Sequence, residues 1–440
     1  MTMRLPKDVK FIIERLQEAG YEAYAVGGCV RDTILGREPD DWDITTSAKP
    51  LEIKALFHPT IDTGIQHGTV TVLRNHVGYE VTTYRIDGVY EDSRHPKEVT
   101  FTANLSEDLL RRDFTINAMA YNDTAGLVDE YGGLEDLKNG VIRCVGVARE
   151  RFTEDALRMM RAVRFSAQLG YTIEEETKQA IRELHGNLRN ISAERIHTEL
   201  SKLLLSNNPD YLRDAYELGI TSVILPELDV CMPFDQKNKH HRYTVGEHIL
   251  HTLKGVEADR VLRYTMLFHD LGKPQCMTED ADGCRHYHGH NMVSAKMSHD
   301  IMKRLRFDND TLFKVEKLVA NHDKDINLDK KSVRREMNRL GADLFPLLLL
   351  VKEADISAQS DYHQEEKQEA LKALWKLYDE ICEAGDCVTI KDLAVNGKDL
   401  IEKGIEPGPR LGEILSDLLD IVIEDPSENT KEKLLNRVVM

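Results

Sequence analysis

The stretch AYAVGGCVRDTILGREPDDWDITT, residues 23–46, decides the fold. It predicts a strand, a Gly27-Gly28 turn, a short helix over 30–35 and a second strand that starts near Asp41. Glycines ahead of a helix let backbone N–H groups approach an anion, and the helix N-terminus adds a partial positive charge. This part of the stretch therefore predicts a cradle for a phosphate group.

Two carboxylates follow on the predicted second strand. Asp41 and Asp43 are two residues apart, so the period of a strand places both on one face, where they can share divalent cations. Alone, a Gly-Gly turn is a weak signal, and an Asp-x-Asp pair is more often a solvated turn. Together they predict a site that holds a nucleoside triphosphate on magnesium.

Composition limits the class of protein. A chain of 440 residues with 41% hydrophobic and 30% charged residues is expected to form several soluble domains. It has no apolar run long enough to span a bilayer, and MTMRLPKDVKFIIERL predicts an amphipathic helix rather than a signal peptide. We therefore expect a cytoplasmic protein without membrane contact. Seven scattered cysteines without a CxxC pair indicate reduced thiols.

The net charge of −18 argues mildly against a nucleic-acid partner. Local basic patches could still bind a small RNA, with a strong dependence on salt. Candidate patches are Arg111-Arg112, the segment 158–164, and the run of Lys330, Lys331, Arg334, Arg335 and Arg339. The last run is equally consistent with a solvated helix face.

The motif GGxVRD followed by DxD resembles the opening motif of the DNA polymerase β-like nucleotidyltransferases. In this form it resembles the class II branch, which contains CCA-adding tRNA nucleotidyltransferases and bacterial poly(A) polymerases. The resemblance implies an α+β fold with a small mixed sheet and helices in a head over 1–140. It further implies an all-α remainder, with a neck over 141–225, a body over 240–363 and a tRNA-binding tail over 364–440.

The same resemblance implies the catalytic residues. A third carboxylate, Glu80, lies on a predicted strand after a turn near 75–78, and would join Asp41 and Asp43 in holding two Mg²⁺ ions. One ion would lower the pKa of the terminal 3′-hydroxyl and the other would neutralise the β- and γ-phosphates. The charged segment 85–101 is expected to be a mobile loop.

Residues 111–122, RRDFTINAMAYN, are predicted to start a helix and resemble the second motif of the family. With the glycine turn and the neck, they imply a set of nucleotide-binding residues: Gly28, Arg31, Arg112, Asp113, Asn117, Asp155, Arg158, Arg161 and Arg164. Gly27 and Asp32 are expected to help position the triphosphate.

Residues 151–170 predict one helix with Thr153 as its N-cap. Asp155 and Arg158 are three residues apart and share a face, which ordinarily indicates an intrahelical salt bridge. A carboxylate beside a guanidinium also complements the donor and acceptor edges of cytosine and adenine, whereas guanine and uracil present the reverse. The EDxxR sequence resembles the family's fourth motif, which implies base selection by the protein.

After a predicted irregular boundary at 226–239, a second constellation resembles the HD phosphohydrolase superfamily. Its residues are His248, His269, Asp270, His290, His322 and Asp355. Such a set can bind one or two divalent metals and activate water against a phosphoester. His251 is an alternative to His248, and His286 or His288 is an alternative to His290.

We therefore expect an enzyme that adds CCA to tRNA 3′ ends from CTP and ATP and releases pyrophosphate. It would contact the acceptor end and the elbow of tRNA, and its body could hydrolyse phosphate monoesters or 2′,3′-cyclic phosphates. An A-adding enzyme or a bacterial poly(A) polymerase would share the head. An HD phosphohydrolase with an RNA-binding head is the alternative of another class.

Overall fold

The computed structural model describes residues 3–88 and 99–438. The chain divides into two compact units, Met1–Pro226 and Glu227–Met440. This division falls at the start of the boundary predicted over 226–239. The finer divisions at residues 140 and 363 stay predictions.

The first unit contains the main sheet. Its strands are β1 (Ala23–Val26), β2 (Ile44–Thr46), β3 (Thr60–Gly64), β4 (Thr69–Arg74), β5 (Val77–Thr83), β6 (Arg85–Asp87), β7 (Val99–Phe101), β8 (Ala120–Asn122), β9 (Gly126–Val128), β10 (Val141–Ile142) and β11 (Thr172–Ile173). Among the described residues, seven of them form one sheet in the order β3-β4-β5-β2-β1-β8-β9. Its β2–β5 pair is parallel, and the other neighbours are antiparallel.

Helices cover this sheet and continue beyond it. They are α1 (Lys7–Glu18), α2 (Gly28–Ile34), α3 (Pro50–Leu56), α4 (Leu105–Leu110), α5 (Gly133–Asn139), α6 (Ala148–Glu154), α7 (Leu157–Leu169), α8 (Glu175–Leu184), α9 (Ala193–Leu204), α10 (Leu212–Glu217) and α11 (Thr221–Ile224). Helix α1 shows why they pack: Val9, Ile12, Ile13 and Leu16 recur at helical spacing and are all buried. The predicted α+β class is confirmed.

The β4–β5 hairpin was expected to turn near 75–78, and its turn lies at Asn75 and His76. Both residues have positive φ, 49° and 66°. Two such residues form a turn whose twist matches the twist of paired strands. The hairpin places β5 beside β2, which positions the site described below.

Two predicted elements near the site are wrong. The second strand begins at Ile44 rather than Asp41, so Asp41 and Asp43 lie in the segment before it. The carbonyl of Asp43 still accepts a hydrogen bond from the Val26 N–H at 3.0 Å, which ties the segment to β1. Residues 111–122 do not start an α-helix: α4 ends at Leu110, and a 3₁₀ turn at Thr115–Asn117 leads into β8.

The predicted helix over 151–170 is two helices. Asp155 leaves the helical conformation, with φ −139° and ψ 103°, and separates α6 from α7. Its carboxylate accepts the Leu157 N–H at 3.0 Å, a local side-chain bond that competes with helix continuation. Thr153 is not the N-cap, since its hydroxyl donates to the Arg149 carbonyl inside α6.

The predicted mobile loop over 85–101 is bounded by paired strands. β6 and β7 are antiparallel, with Arg85 opposite Phe101. The remainder of that prediction, residues 89–98, lies outside the described residues.

The second unit is mainly helical. Its helices are α12 (Pro226–Cys231), α13 (Val245–Lys254), α14 (Arg260–Phe268), α15 (Lys273–Cys276), α16 (His290–Arg304), α17 (Asn309–Asn321), α18 (Lys330–Leu340), α19 (Phe345–Ala358), α20 (Gln364–Ala384), α21 (Gly397–Glu402), α22 (Pro409–Glu424) and α23 (Lys431–Arg437). The short hairpin β12 (Thr278–Glu279) and β13 (Arg285–His286) interrupts them. Helix α12 corrects the expectation that 226–239 is irregular throughout.

Leu318, Phe345 and Leu348 belong to one apolar core of the second unit, and Leu400, Val422 and Leu434 belong to another. Within the described ranges, no helix combines the length and apolar character needed to cross a bilayer. Every cysteine lies in these ranges, and all seven are free thiols.

Candidate functional site

The glycine turn and Arg112 form one wall of the candidate nucleotide site. Gly27 has φ 83° and immediately precedes α2. A Cβ atom at Gly27 would lie 2.9 Å from Nη1 of Arg112, so the guanidinium packs against the glycine backbone. The sequence therefore brings a cation to the N-terminus of α2, as a phosphate cradle requires.

The three predicted carboxylates are neighbours. Ile44 on β2 pairs with Val81 on β5, and the preceding residues of this parallel pair are Asp43 and Glu80. Burial, and then the charges of Asp43 and Asp41, raise the pKa of Glu80. Burial also raises the pKa of Asp43, where Asp41 adds to the effect and Arg112 opposes it.

Each of these carboxylates keeps solvent-exposed surface. The three carboxylates repel one another, and a cation between them would relieve that repulsion. They offer only oxygen ligands, which hard divalent cations prefer. The residues present therefore fit a divalent ion.

A hydrogen-bonded chain links the glycine helix to the neck. Arg31 donates from Nη1 to Oδ1 of Asn117 at 2.7 Å, and Asn117 donates from Nδ2 to Oδ1 of Asp113 at 3.1 Å. Arg161 on α7 donates to Oδ2 of Asp113 at 2.6 and 2.8 Å. Burial by itself would raise the pKa of Asp113, but the Arg161 guanidinium holds this pKa well below its usual range.

The cations of this chain also share an aromatic platform. The guanidinium carbons of Arg31, Arg161 and Arg164 lie 5.0, 5.3 and 3.7 Å from the ring centroid of Phe165. Arg164 further donates to Glu199 on α9 at 2.5 Å. These contacts fix the α7 arginines, so the predicted residues Arg31, Asp113, Asn117, Arg161 and Arg164 belong to one connected assembly.

Asp155 and Arg158 are not each other's ion-pair partner. Arg195 on α9 donates to both carboxylate oxygens of Asp155, at 2.7 and 3.3 Å. Arg158 donates from Nη1 to Glu154 at 2.6 Å and from Nη2 to the Arg111 carbonyl at 2.9 Å. The simple salt bridge between Asp155 and Arg158 is therefore wrong.

Sequence reasoning missed three residues of this region: Glu154, Arg195 and Glu199. Arg195 and Glu199 are four apart on α9, in the segment ISAERIHTELSKLLLS. Residues at this spacing share a helix face. The signal that could have found them was a pair of opposite charges at this spacing beside the buried apolar residues Ile196, Leu200 and Leu203.

The predicted basic patches are largely paired with acids. The buried carboxylate of Asp108 lies 2.7 Å from Arg111 Nη2 and 3.6 Å from Arg112 Nη2. Each cation of the later run has a carboxylate within ion-pair distance: Lys330 with Glu380, Lys331 and Arg335 with Glu424, Arg334 with Asp386, and Arg339 with Glu336. For that run the structure favours an ion-paired helix face over a free basic patch.

The second unit gathers the six predicted ligands of the second constellation. His248, His269 and Asp270 form one potential metal-binding group, and Asp270, His290 and His322 form another. Oδ2 of Asp270 lies 3.5 and 3.3 Å from the Nε2 atoms of His248 and His269. Its Oδ1 lies 3.3 and 3.7 Å from those of His290 and His322. Asp270 can therefore bridge two ions.

The backbone sets the tautomers of three of these histidines. Nδ1 of His269, His290 and His322 donates to a carbonyl three residues earlier, at 2.8, 2.8 and 2.7 Å. The Nε2 lone pairs consequently point inward in the neutral rings, and those of His290 and His322 face each other at 3.2 Å. Two facing lone pairs repel, so this geometry fits a cation between them.

Asp355 completes the set and is bound to His248, with Oδ1 2.8 Å from Nε2. Lys273, a buried residue outside the prediction, lies 2.7 Å from Oδ2 of Asp270 and 3.5 Å from His241. A cavity of about 230 Å³ lies here, and the residues that line it include His241, Asp270, Lys273, His288 and Asp355. Burial, and then Lys273, lowers the pKa of His241 to about 2, which leaves that ring neutral.

Two of the three predicted alternatives, His251 and His286, have other partners, whereas His288 lines the cavity but belongs to none of the potential metal-binding groups found among the described residues. The ring of His251 stacks on Tyr243 at 4.1 Å between centroids. His286 contacts Asp280, with Nε2 3.0 Å from Oδ2. His248 and His290 are therefore the members of the cluster.

Comparisons with known proteins cover nearly the whole chain. Residues 23–143 match the family model "Poly A polymerase head domain", 170–232 match "Probable RNA and SrmB- binding site of polymerase A", and 290–438 match the tRNA nucleotidyltransferase domain 2 model. A CCA-adding enzyme of Leuconostoc mesenteroides is 39% identical over 93% of this chain and 90% of its own length. That of Levilactobacillus brevis is 38% identical over 97% and 96%.

Solved structures agree with these matches. The Bacillus stearothermophilus CCA-adding enzyme in complex with CTP aligns with a TM-score of 0.73 at 30% identity, over 99% of this chain and 97% of that one. The Thermotoga maritima enzyme complexed with tRNA shares the fold, with a TM-score of 0.57 at 21% identity over 99% and 98%. With head motifs, site geometry and full-length relatives in agreement, the chain belongs to the CCA-adding enzyme family.

Proposed function

We propose that this enzyme adds CCA to the 3′ end of tRNA from CTP and ATP and releases pyrophosphate. The observation that carries the proposal is the set of neighbouring carboxylates Asp41, Asp43 and Glu80, close to the Gly27–Arg112 contact. The full-length relatives named CCA-adding enzymes, and the CTP complex of one relative, support it.

The three carboxylates would hold divalent ions, for which we propose Mg²⁺. Ions held there would supply positive charge to the attacking 3′-hydroxyl and to the triphosphate. The chain's own groups orient the nucleotide. The N-terminus of α2 at Gly28, with Arg31 and Arg112, would bind phosphate oxygens, and Asp113 and Asn117 keep Arg31 and Arg161 in place.

Base choice would belong to Asp155 and Arg158. Arg158 is held by Glu154 and the Arg111 carbonyl, and Asp155 is held by Arg195. In these orientations they would meet a base edge that offers an amino group beside a ring-nitrogen acceptor. Cytosine and adenine have that edge. Arg195 holds the carboxylate of Asp155 through two hydrogen bonds, so the orientation of the carboxylate does not depend on the nucleotide.

The decisive experiment uses tRNA transcripts that end before CCA, after C and after CC. Each is incubated with CTP, ATP or both, and products are resolved at single-nucleotide length. Growth by CCA followed by arrest is expected. Addition of A only to tRNA ending in CC would indicate an A-adding enzyme, and an open-ended A ladder would indicate a poly(A) polymerase. Asp41→Ala should lose addition and keep tRNA binding.

We also propose a metal-dependent phosphohydrolase activity for the histidine cluster, as in the HD superfamily. The bridging position of Asp270 between two histidine groups favours it. The buried cation Lys273 adds positive charge next to a cavity large enough for a phosphate group. Hydrolysis of a phosphate monoester or a 2′,3′-cyclic phosphate should survive Asp41→Ala and be lost in His269→Ala.

The tail is proposed to contact the tRNA elbow, and the cytoplasm is the proposed location. Leu434→Asp places a charge in the core of the tail, where Leu434 is fully buried. The variant should therefore weaken tRNA binding more than it changes the KM for CTP.

A further inference from the structure

A third group of potential metal ligands lies on the β12–β13 hairpin. Asp280, Cys284 and His286 each direct one ligand atom so that the three atoms lie within 4.8 Å of one another. The group is separate from the histidine cluster and from the carboxylates of the head. None of the activities proposed above uses it.

The turn of the hairpin shapes this group. Oδ1 of Asp280 accepts the N–H groups of Asp282 and Cys284 at 3.0 and 2.9 Å. Its other oxygen, Oδ2, faces Nε2 of His286 at 3.0 Å. Gly283 has φ 77°, a backbone conformation that favours glycine, and it returns the chain so that Cys284 faces Asp280.

We propose that Asp280, Cys284 and His286 bind a transition-metal ion of the zinc class. A thiolate, an imidazole and a carboxylate together suit zinc, whereas magnesium and calcium prefer oxygen ligands alone. Three protein ligands leave a fourth tetrahedral position for water.

The hairpin connects the site to the wall of the histidine cluster. Arg285 donates from Nη1 to the Asp235 carbonyl at 2.5 Å, and Asn238 donates to the Arg285 carbonyl at 3.0 Å. Two residues further along, the Tyr287 carbonyl accepts from Nδ1 of His290 at 2.8 Å. An ion at the hairpin would hold the segment that orients His290.

The test is a Co²⁺ titration of the full-length protein followed by absorption spectroscopy. Binding at the hairpin gives a thiolate-to-cobalt charge-transfer band in the near ultraviolet, which imidazole and carboxylate ligands do not give. The band is expected in the wild type, in the exposed-cysteine control Cys382→Ser and in Asp270→Asn. It is expected to vanish in Cys284→Ser, and His286→Ala, which removes a direct ligand, should weaken the binding by at least about 10-fold, the lower end of the loss seen when only a partner of a ligand is changed.

A second measurement does not depend on spectroscopy. Zn²⁺ should slow alkylation of Cys284 by iodoacetamide, while the exposed thiol of Cys382 reacts at an unchanged rate. Absence of the band in reduced wild-type protein, its persistence in Cys284→Ser, or equal alkylation with and without Zn²⁺ would overturn the proposal.

Discussion

Arg195 donates two hydrogen bonds to the carboxylate of Asp155, from Nη2 to Oδ2 at 2.7 Å and from Nη1 to Oδ1 at 3.3 Å. The two residues lie 40 positions apart and connect helix α9 to the break between α6 and α7. A paired fork of this kind fixes a carboxylate in direction as well as in charge.

We expect Arg195→Ala to lower kcat/KM for both CTP and ATP by about ten- to a hundredfold, since a hydrogen bond to a charged group contributes about 1.5–3 kcal/mol. Incorporation of GMP and UMP should rise at the same time. Arg195→Lys keeps the charge without the fork and should recover only part of the selectivity. Arg182→Ala, which removes another neck arginine paired with an exposed glutamate, is the matched control.

Arg158→Ala should loosen the choice among the four nucleotides by about tenfold or more, because the base edge loses its donor. The measurement is single-nucleotide addition to tRNA ending in C with each triphosphate supplied alone. Arg149→Ala, a neck arginine paired with Glu183, should leave the choice unchanged. Unchanged selectivity in Arg158→Ala would remove this residue from base selection.

Gly27→Ala should lower nucleotide addition, since a Cβ there would come within 2.9 Å of Arg112 Nη1 and displace that guanidinium from the glycine turn. The backbone conformation, φ 83° and ψ −132°, itself costs a non-glycine residue about 1–3 kcal/mol. Gly20→Ala separates the two effects, because Gly20 has φ 90° and nothing within 4 Å of its added Cβ. We expect nucleotide addition to fall only in Gly27→Ala; equal activities of the two variants would contradict the Arg112 contact.

Asp43→Asn should reduce nucleotide addition by about a thousandfold, or about 4 kcal/mol, if the carboxylate holds a catalytic ion. Without added metal it should make the protein more stable at neutral pH. The pKa of Asp43 is raised in the folded protein, so folding is favoured as the pH falls through that pKa and disfavoured above it. Thermal melts should show the gain at neutral pH and its loss in acid.

Divalent ions should stabilise the histidine cluster. At a hundredfold excess over Kd, an ion contributes about 2.7 kcal/mol, which corresponds to about 5–10 °C in the Tm of a unit of this size. Mn²⁺ should raise the Tm of the wild type, and the rise should be much smaller in Asp270→Asn, which lacks the bridging charge. Asp300→Asn, a change on the same helix as His290 outside the cluster, should keep the full shift.

The sequence sufficed for the family, the α+β class and the identity of the clustered groups, because these depend on short motifs. It did not suffice where a side chain competes with the backbone. The helix over 151–170 is broken because the Asp155 carboxylate accepts the Leu157 N–H. The periodicity of apolar residues does not predict such a hydrogen bond. The start of the second strand was also predicted too early. Asp43 accepts a backbone hydrogen bond from Val26, but the regular pairing of the strand begins only at Ile44.

The ion-pair partners of the predicted site residues could not be predicted from the sequence either. Arg158 was expected to pair with Asp155. Instead, Arg158 pairs with Glu154, four residues earlier, and Asp155 pairs with the distant Arg195. Long-range choices among several nearby acids depend on packing of α7 against α9, which one sequence does not specify. The histidine cluster was predictable in membership, whereas Lys273 was not, because its role follows from burial beside Asp270.

The break at Asp155 makes α7 a helix separate from α6, and the first turn of α7 carries Arg158. Arg158, Arg161 and Arg164 recur every third residue along that one helix, so the proposed base contact and the proposed triphosphate contacts lie on the same element. Because Asp113, Glu199 and Phe165 hold Arg161 and Arg164, the proposed contacts to the base and to the triphosphate share one support. A substitution that displaces α7 would therefore change base choice and the rate of addition together.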